Sequence, residues 1–396
     1  MEWVVLIRYS EIAVKGPSTR ARMESLLKRN IEDALASLKA GGAVEMVDGR
    51  LILRNPRPDP RAAALASSRV FGVKSTSPAL EVEFDSLEDL SEKAVEFFGE
   101  RVRGRIFRVR ARRVGSHPFT SKDIERVVGA RLLEAGARGV NLEEPEYTAY
   151  VEVRGWRAYF YDEVIEGPGG LPVGSEGPVL LLFSGGFDST AAAWLLMRRG
   201  STLSLIYYDL GVRRALLTAL DVAITLAREW GFGHNPAFYL ADFTPVASRA
   251  RSLVRPEYRV LAIRRAMMEH AALLALREGF EAIATGENIG QVASQTLRNM
   301  RLISEGVGMP VLRPLACFDK DETVALTRRI GLYEKSASQI EVCRGAPAPT
   351  PRGDPVIFKR EYNKLSFDPD RVEVSSTRLR DKSLEEALRE LGYDVG

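Results

Sequence analysis

Cysteine, histidine and side-chain amides are scarce in this chain: two Cys, three His, three Gln and seven Asn stand among 396 residues. Two cysteines, Cys317 and Cys343, exclude a disulfide framework and a four-cysteine zinc site. The histidines (His117, His234, His270) are scattered and show no ligand spacing, so no resident metal centre is expected. Long apolar runs are missing too. None approaches the roughly 20 residues of a membrane span, and no charged-then-apolar leader opens the chain. The expectation is a cytoplasmic protein with no membrane partner. An excess of either charge is also absent: the formal charge is +3, so nucleic-acid binding has to come from local patches. Positive charge is carried by 45 Arg against 11 Lys. With so few amides this suits a hot-environment protein, and a GC-rich genome would leave the same mark.

What is present is enough apolar residue, 45%, for two to four domains with a full core. The stretch "WVVLI" (3–7) reads as a strand, and Met23, Leu26, Leu27, Ile31 and Leu35 give helical spacing over 18–39. A hairpin over 44–54 turns at Asp48-Gly49, and the first unit closes at the proline-rich "NPRPDP", giving a domain over 1–58. A second domain, 59–166, carries helices at 61–67, 86–99 and 121–136 with strands at 105–112, 147–153 and 157–163. The stretch "GPGGLPVGSEGP" (167–178) is a linker or a tightly turned crossing. From 179 to 360 strands alternate with helices, the pattern of a parallel α/β sheet. The tail, 361–396, is charged, and a short helix at 383–391 is its one clear element.

The most informative string is "LLLFSGGFDSTAAAWLLMRRG" (180–200). Strand, glycine-rich turn and helix together make an anion site, because the first N–H groups of a helix are free and its dipole is positive there. Gly185 and Gly186 let the backbone approach a phosphate, and Ser184 and Ser189 supply hydroxyls. Asp188 would repel a bare phosphate, which implies Mg²⁺ or an acid role beside it. Neither of the two common phosphate loops, G-x-x-x-x-G-K-[ST] and G-x-G-x-x-G, is present. The bland alternative is a turn with no ligand.

The string S-G-G-x-D-S after an apolar strand resembles the pyrophosphate loop of the N-type ATP pyrophosphatases. Within that superfamily, "IRYSEIAVKGPSTR" (7–20), "ATGENIGQVASQTLRNM" (284–300) and "VLRPLACFDKDETVALTRRIGLYEKSA" (311–337) resemble the tRNA 4-thiouridine synthetase (tRNA sulfurtransferase) family. "SSRVFGVKSTSPA" (67–79) and "FRVRARRVGSHPFTSKDIERVVG" (107–129) look like its THUMP domain, an RNA-binding module. The resemblance spans the chain to about residue 360. It implies an α/β multidomain fold: a ferredoxin-like α+β unit, a THUMP domain, and a doubly wound parallel-sheet domain carrying the PP-loop. It also implies ATP and Mg²⁺ as cofactors and tRNA as partner. The C4 oxygen of a uridine, at position eight in the family, would attack the α-phosphate, and a cysteine persulfide would then deliver sulfur to C4. By position in the family's motifs, Leu182, Phe183, Tyr207, Tyr208, Arg264, Gly286 and Gln295 join the loop as nucleotide-binding residues. From the residues alone, Tyr207 and Tyr208 would equally serve as core aromatics.

Cys343 lies in "SQIEVCRGAPAPTPRGDP", where Arg344 would favour the thiolate, and the family's sulfur-handling cysteine follows this pattern. It is therefore the expected persulfide carrier, with Asp188 the second catalytic residue. Cys317 precedes a capping-box pattern, Asp319 with Glu322, and reads either as a thiol near a helix start or as packing. Many bacterial members carry a C-terminal rhodanese domain, which this chain is expected to lack; the family's second role, sulfur transfer for thiamine synthesis, leans on it. Some archaeal members hold an iron–sulfur cluster on three cysteines, more than this chain has. The persulfide donor, protein or small molecule, stays open, as does a homodimer. In "RIFRVRARR" (105–113) a strand sends Arg108, Arg110 and Arg112 to one face and Phe107, Val109 and Ala111 to the other. That stripe suits RNA phosphates or a solvated edge, and Lys15 extends it. The rival readings are a pyrophosphatase acting on a small molecule and an RNA-binding protein without catalysis.

Overall fold

The computed structural model describes residues 1–47, 49–339 and 349–393. Two compact units divide the chain, Met1–Gly170 and Leu171–Gly396.

In the first unit one nine-stranded sheet is built from β1 (Glu2–Arg8), β2 (Gly41–Val47), β3 (Arg50–Arg57), β4 (Ser75–Glu83), β5 (Ile106–Val114), β6 (Gly139–Val140), β7 (Tyr147–Arg154), β8 (Arg157–Tyr161) and β9 (Ile165–Glu166). Its order is β2-β3-β1-β4-β8-β7-β5-β6, with β9 on β4. Helices α1 (Pro17–Ser37), α2 (Pro60–Ser68), α3 (Leu87–Val102) and α4 (Ser121–Glu134) connect it. Alternation along β5 does what the sequence predicts. Phe107 and Val109 enter a core with Phe98 of α3 and Val128 of α4, while Arg110 and Arg112 stay exposed.

The sheet is strongly curled. Arg50 on β3 donates to Glu152 on β7 at 2.8 Å, although β1, β4 and β8 lie between them. Four strand spacings on a flat sheet would be about 19 Å. Val4, Leu6, Ile52, Ala79, Tyr159 and Tyr161 fill the inside of the curl. Glu152 also accepts from Arg154 at 2.8 Å and lies 3.9 Å from Arg8, so one buried carboxylate holds three guanidinium groups. Burial alone would raise the Glu152 pKa, but Arg50, Arg154 and Arg8 more than offset it and hold the carboxyl below its ordinary range.

The second unit contains β10 (Glu176–Leu182), α5 (Phe187–Arg198), β11 (Ser201–Asp209), α6 (Arg213–Trp230), β12 (Ala237–Asp242), α7 (Thr244–Leu253), α8 (Arg259–Glu278), β13 (Ala282–Ala284), α9 (Leu297–Ser304), β14 (Val311–Leu312), α10 (Lys320–Arg329), α11 (Tyr333–Ala337), α12 (Pro355–Asn363), β15 (Val374–Arg378) and α13 (Leu384–Glu390). The sheet order is β14-β13-β10-β11-β12-β15. Strands β14 to β12 run parallel, as the alternating pattern predicts, and β15 closes the edge antiparallel to β12. That edge strand, "VSSTR", is polar and one-sided, which is why no apolar pattern announces it. The chain leaves β10 toward β11 on one side and returns to β13 on the other. In an open α/β sheet such a switch point leaves a crevice at the carboxyl ends of the strands.

Candidate active site

The Ser184 loop and the loop after β13 both emerge at this switch point. Gly185 has φ +77°, and a Cβ on it would come within 2.6 Å of the Ala219 Cα on α6. Glycine is thus required there twice, by conformation and by the approach of α6. Gly186, the N-cap of α5, is different: its φ is −75° and a Cβ would make ordinary contacts with the Ser184 Oγ at 3.5 Å and the Gln339 Cγ at 4.0 Å. Gly186 has no side chain with which to cap α5, so among the described residues the first N–H groups of the helix have no side-chain acceptor and remain suited to an anion. Ser189 Oγ accepts the Ser184 N–H and lies 3.2 Å from Ser184 Oγ, tying the turn to the helix.

Gly286 follows β13 and presses on the start of α5: a Cβ there would lie 2.7 Å from both the Asp188 carbonyl carbon and the Ser189 nitrogen. The two loops therefore touch backbone to backbone. Asp188 sits at the junction, paired with Lys320 of α10 at 3.1 Å and accepting from Gln291 at 3.4 Å. Asp319 and Glu322 form the capping box expected for α10, which fixes where Lys320 starts. Glu287, next to Gly286, is buried and receives Arg264 (3.1 Å), Arg313 (2.9 Å) and Thr285 (3.0 Å). Gln295 is buried with its Oε1 lacking a donor among the described residues, as is Asn288 Oδ1.

The strand ends complete the crevice. Leu182 is half-buried, and the buried Phe183 donates its N–H to the Ile206 carbonyl at 2.8 Å. Tyr207 stacks on Phe238, and Tyr208 donates to the Met267 carbonyl at 2.8 Å beside His270. Both rings are core aromatics, the alternative left open by the residues, so only their backbone groups remain for a ligand at this edge. Burial pushes the Tyr208 hydroxyl well above its ordinary range and His270 down to about 4. Among the described residues no cluster of three His, Cys, Asp or Glu side chains forms.

Cys317 is exposed, which removes the packing alternative. Its neighbours bind the second loop: Ala316 O accepts from Ile289 N–H at 3.1 Å and Phe318 O from the Asn288 amide at 3.1 Å. Cys343 lies outside the described residues. The chain approaching it is docked on the loop, since Gln339 donates to the Ser184 carbonyl and Ser336 to Thr190 at 3.2 Å. In the first unit Lys15, Arg110 and Arg112 are exposed. Arg108 instead is half-buried and donates through Nε to Thr148 and through Nη1 to the Leu142 carbonyl, both at 3.0 Å.

Lys320, Glu287, Arg313, Gln291 and Gln339 are not legible in the sequence as site residues. Lys320 has only its place inside a capping pattern, and the others depend on contacts across 23 or more positions. The glycines give a graded expectation. Gly185→Ala and Gly286→Ala should each lower stability by about 2–4 kcal/mol through strain or overlap with backbone. Gly186→Ala should cost less than about 1 kcal/mol and weaken anion binding instead. Urea denaturation checks the order, and equal losses at all three positions would contradict it.

Comparison with known proteins covers the same three regions. The family described as thiamine biosynthesis protein (ThiI) matches residues 174–367, the ThiI ferredoxin-like domain 4–77 and the THUMP domain 84–163. A probable tRNA sulfurtransferase of Aeropyrum pernix is 57% identical over 393 residues, 98% of each chain. One of Saccharolobus solfataricus is 37% identical over 373 residues, 93% of this chain and 97% of its own. A solved 4-thiouridine synthetase–RNA complex with bound ATP aligns with a TM-score of 0.79 at 29% identity, over 95% of this chain and all of that one.

Proposed function

The chain belongs to the tRNA sulfurtransferase (ThiI) family, and from that premise we propose that it uses ATP to replace the C4 oxygen of a tRNA uridine, at position eight, by sulfur. The observation that carries this reading is the start of α5 at Gly186, without a side-chain cap among the described residues and braced by Gly286 at the switch point of the parallel sheet. ATP would lay its phosphates on the Ser184–Ser189 turn, and the backbone at the β10 and β11 ends would border the rest of the nucleotide. Asp188 is the one carboxylate at the turn, and Mg²⁺ takes one or two carboxylates plus phosphates, so this donor set fits Mg²⁺ held by Asp188 and the nucleotide. Bound there, the ion would neutralise charge on the pyrophosphate. Lys320 is placed to follow the same phosphates once Asp188 is occupied.

The uridine C4 oxygen attacks the α-phosphate and pyrophosphate leaves. C4 then carries AMP as a leaving group, and the terminal sulfur of a persulfide attacks it, expelling AMP with the former C4 oxygen. The S–S bond to the cysteine is cleaved by a further thiol, which ends as a disulfide and frees the thiouridine. We assign the persulfide to Cys343. Its support is that Gln339, four positions earlier, binds the Ser184 carbonyl, and four residues of chain span at most about 14 Å. The sulfur reaches Cys343 from a persulfide donor. The test is AMP formation from labelled ATP: it should require tRNA, and AMP formation at the same rate without RNA would favour a small-molecule substrate.

Arg110 and Arg112 are proposed to neutralise RNA phosphates. Replacing both by Ala should weaken tRNA binding and reduce the salt slope by about one unit for each phosphate left without its arginine. Arg108→Ala should change the slope less than either exposed arginine does, because its Nε and Nη1 already hold it against the fold. A filter-binding salt titration separates the two cases.

A further inference from the structure

The site holds two acids with different partners. Asp188 is at the mouth of the turn, 28% exposed, whereas Glu287 is 5% exposed and bridges Arg264 on α8 to Arg313 after β14. A buried carboxylate between two arginines from different elements is costly to desolvate and useful mainly for what it fixes. We propose that Glu287 is a positioning residue that aims Arg264 at the nucleotide phosphates, a role resting on the ATP reading above.

Three observations carry this. First, the backbone of Glu287 is fixed relative to the phosphate turn, because the adjacent Gly286 abuts the Asp188 and Ser189 backbone. Anything Glu287 grips is thereby fixed relative to the same turn. Second, both contacts on Arg264, Glu287 Oε1 at 3.1 Å and Ser294 Oγ at 3.0 Å, fall on Nη1. Among the described residues the remaining guanidinium donors are left for an incoming anion, and Arg264 is the more exposed of the two arginines, 32% against 17%. Third, the other carboxylate oxygen is taken by Arg313 and Thr285, and Arg313 is itself anchored on Ser304 at 2.6 Å. Arg313 is thus the fixed end of the bridge and Arg264 the presented end.

The test is a double-mutant cycle read by the affinity of a non-hydrolysable ATP analogue, with no tRNA or sulfur present. Glu287→Gln keeps the shape and removes the charge; it should weaken binding about tenfold, a change of about 1.4 kcal/mol. Arg264→Ala should weaken it at least as much, and adding Glu287→Gln to Arg264→Ala should change affinity less than about twofold, since the two act as one unit. Glu287→Asp should recover part of the loss. Equal tenfold losses in both backgrounds would overturn the proposal, as would unchanged affinity in Glu287→Gln. Melting temperatures identify a variant that fails to fold; in that event Glu287→Asp in the two backgrounds decides by the same comparison. Wild-type analogue binding without tRNA-dependent AMP formation would instead sink the tRNA reading and leave this one standing.

Discussion

Cys343→Ser is expected to release pyrophosphate in the presence of tRNA at close to the wild-type rate and to form no thiouridine. The serine keeps the size of the side chain and removes the atom that carries sulfur. Adenylation depends on the Ser184–Ser189 turn, whose braces are Gly286, Ala219 and the Gln339 amide, all of which the substituted chain retains. The two half-reactions should therefore separate completely. Cys317 refines the outcome. Its exposed thiol, flanked by residues bonded to the second loop, is the remaining cysteine sulfur in the chain that could open the used persulfide. If it does, Cys317→Ser should give a single turnover and recover repeated ones with added thiol. Full thiolation by Cys343→Ser would mean that free sulfide attacks the adenylate directly, and would remove Cys343 from the mechanism.

Asp188→Ala should depress adenylation by on the order of 10³-fold while leaving tRNA affinity within about twofold. The carboxylate is the acid of the phosphate turn, and its loss also frees Lys320 from its ion pair. A freed lysine would bind ATP phosphates more readily, so nucleotide affinity should fall far less than turnover. That split distinguishes a charge-placing role from a merely structural one. Asp188→Asn can still accept from Gln291 and should be as inactive as the alanine variant. Wild-type pyrophosphate release by either variant would contradict the role given to Asp188.

The phosphate turn is legible in the sequence because strand, glycines and helix are contiguous in the chain, and its chemistry follows from local backbone physics. The parallel sheet is legible for the same reason, through alternating periodicity. Strand β15 is not, since a polar edge strand lacks an apolar face to betray it. The curl of the first sheet is not either: nothing in "RLILRNPR" or "YTAYVEVR" says that Arg50 and Glu152 will meet, because that contact arises from sheet curvature. The buried side of the site shows the same limit. Glu287 reads as one acid in a glycine-rich loop, and its bridge between Arg264 and Arg313 exists only once α8, β13 and β14 are assembled. Tyr207 and Tyr208 fall between these cases. Their strand position can be read from the sequence, but the side to which the rings turn depends on Phe238 and His270, 31 and 62 positions away.

The central claim is that this chain thiolates tRNA at the expense of ATP. Nucleoside analysis of tRNA incubated with the protein, ATP, Mg²⁺ and a persulfide source tests it most directly. The expected product is 4-thiouridine that appears only when ATP is present, mapping to position eight, with one AMP formed per thiouridine. No 4-thiouridine from an active, ATP-binding preparation, or the same yield without ATP, would contradict it.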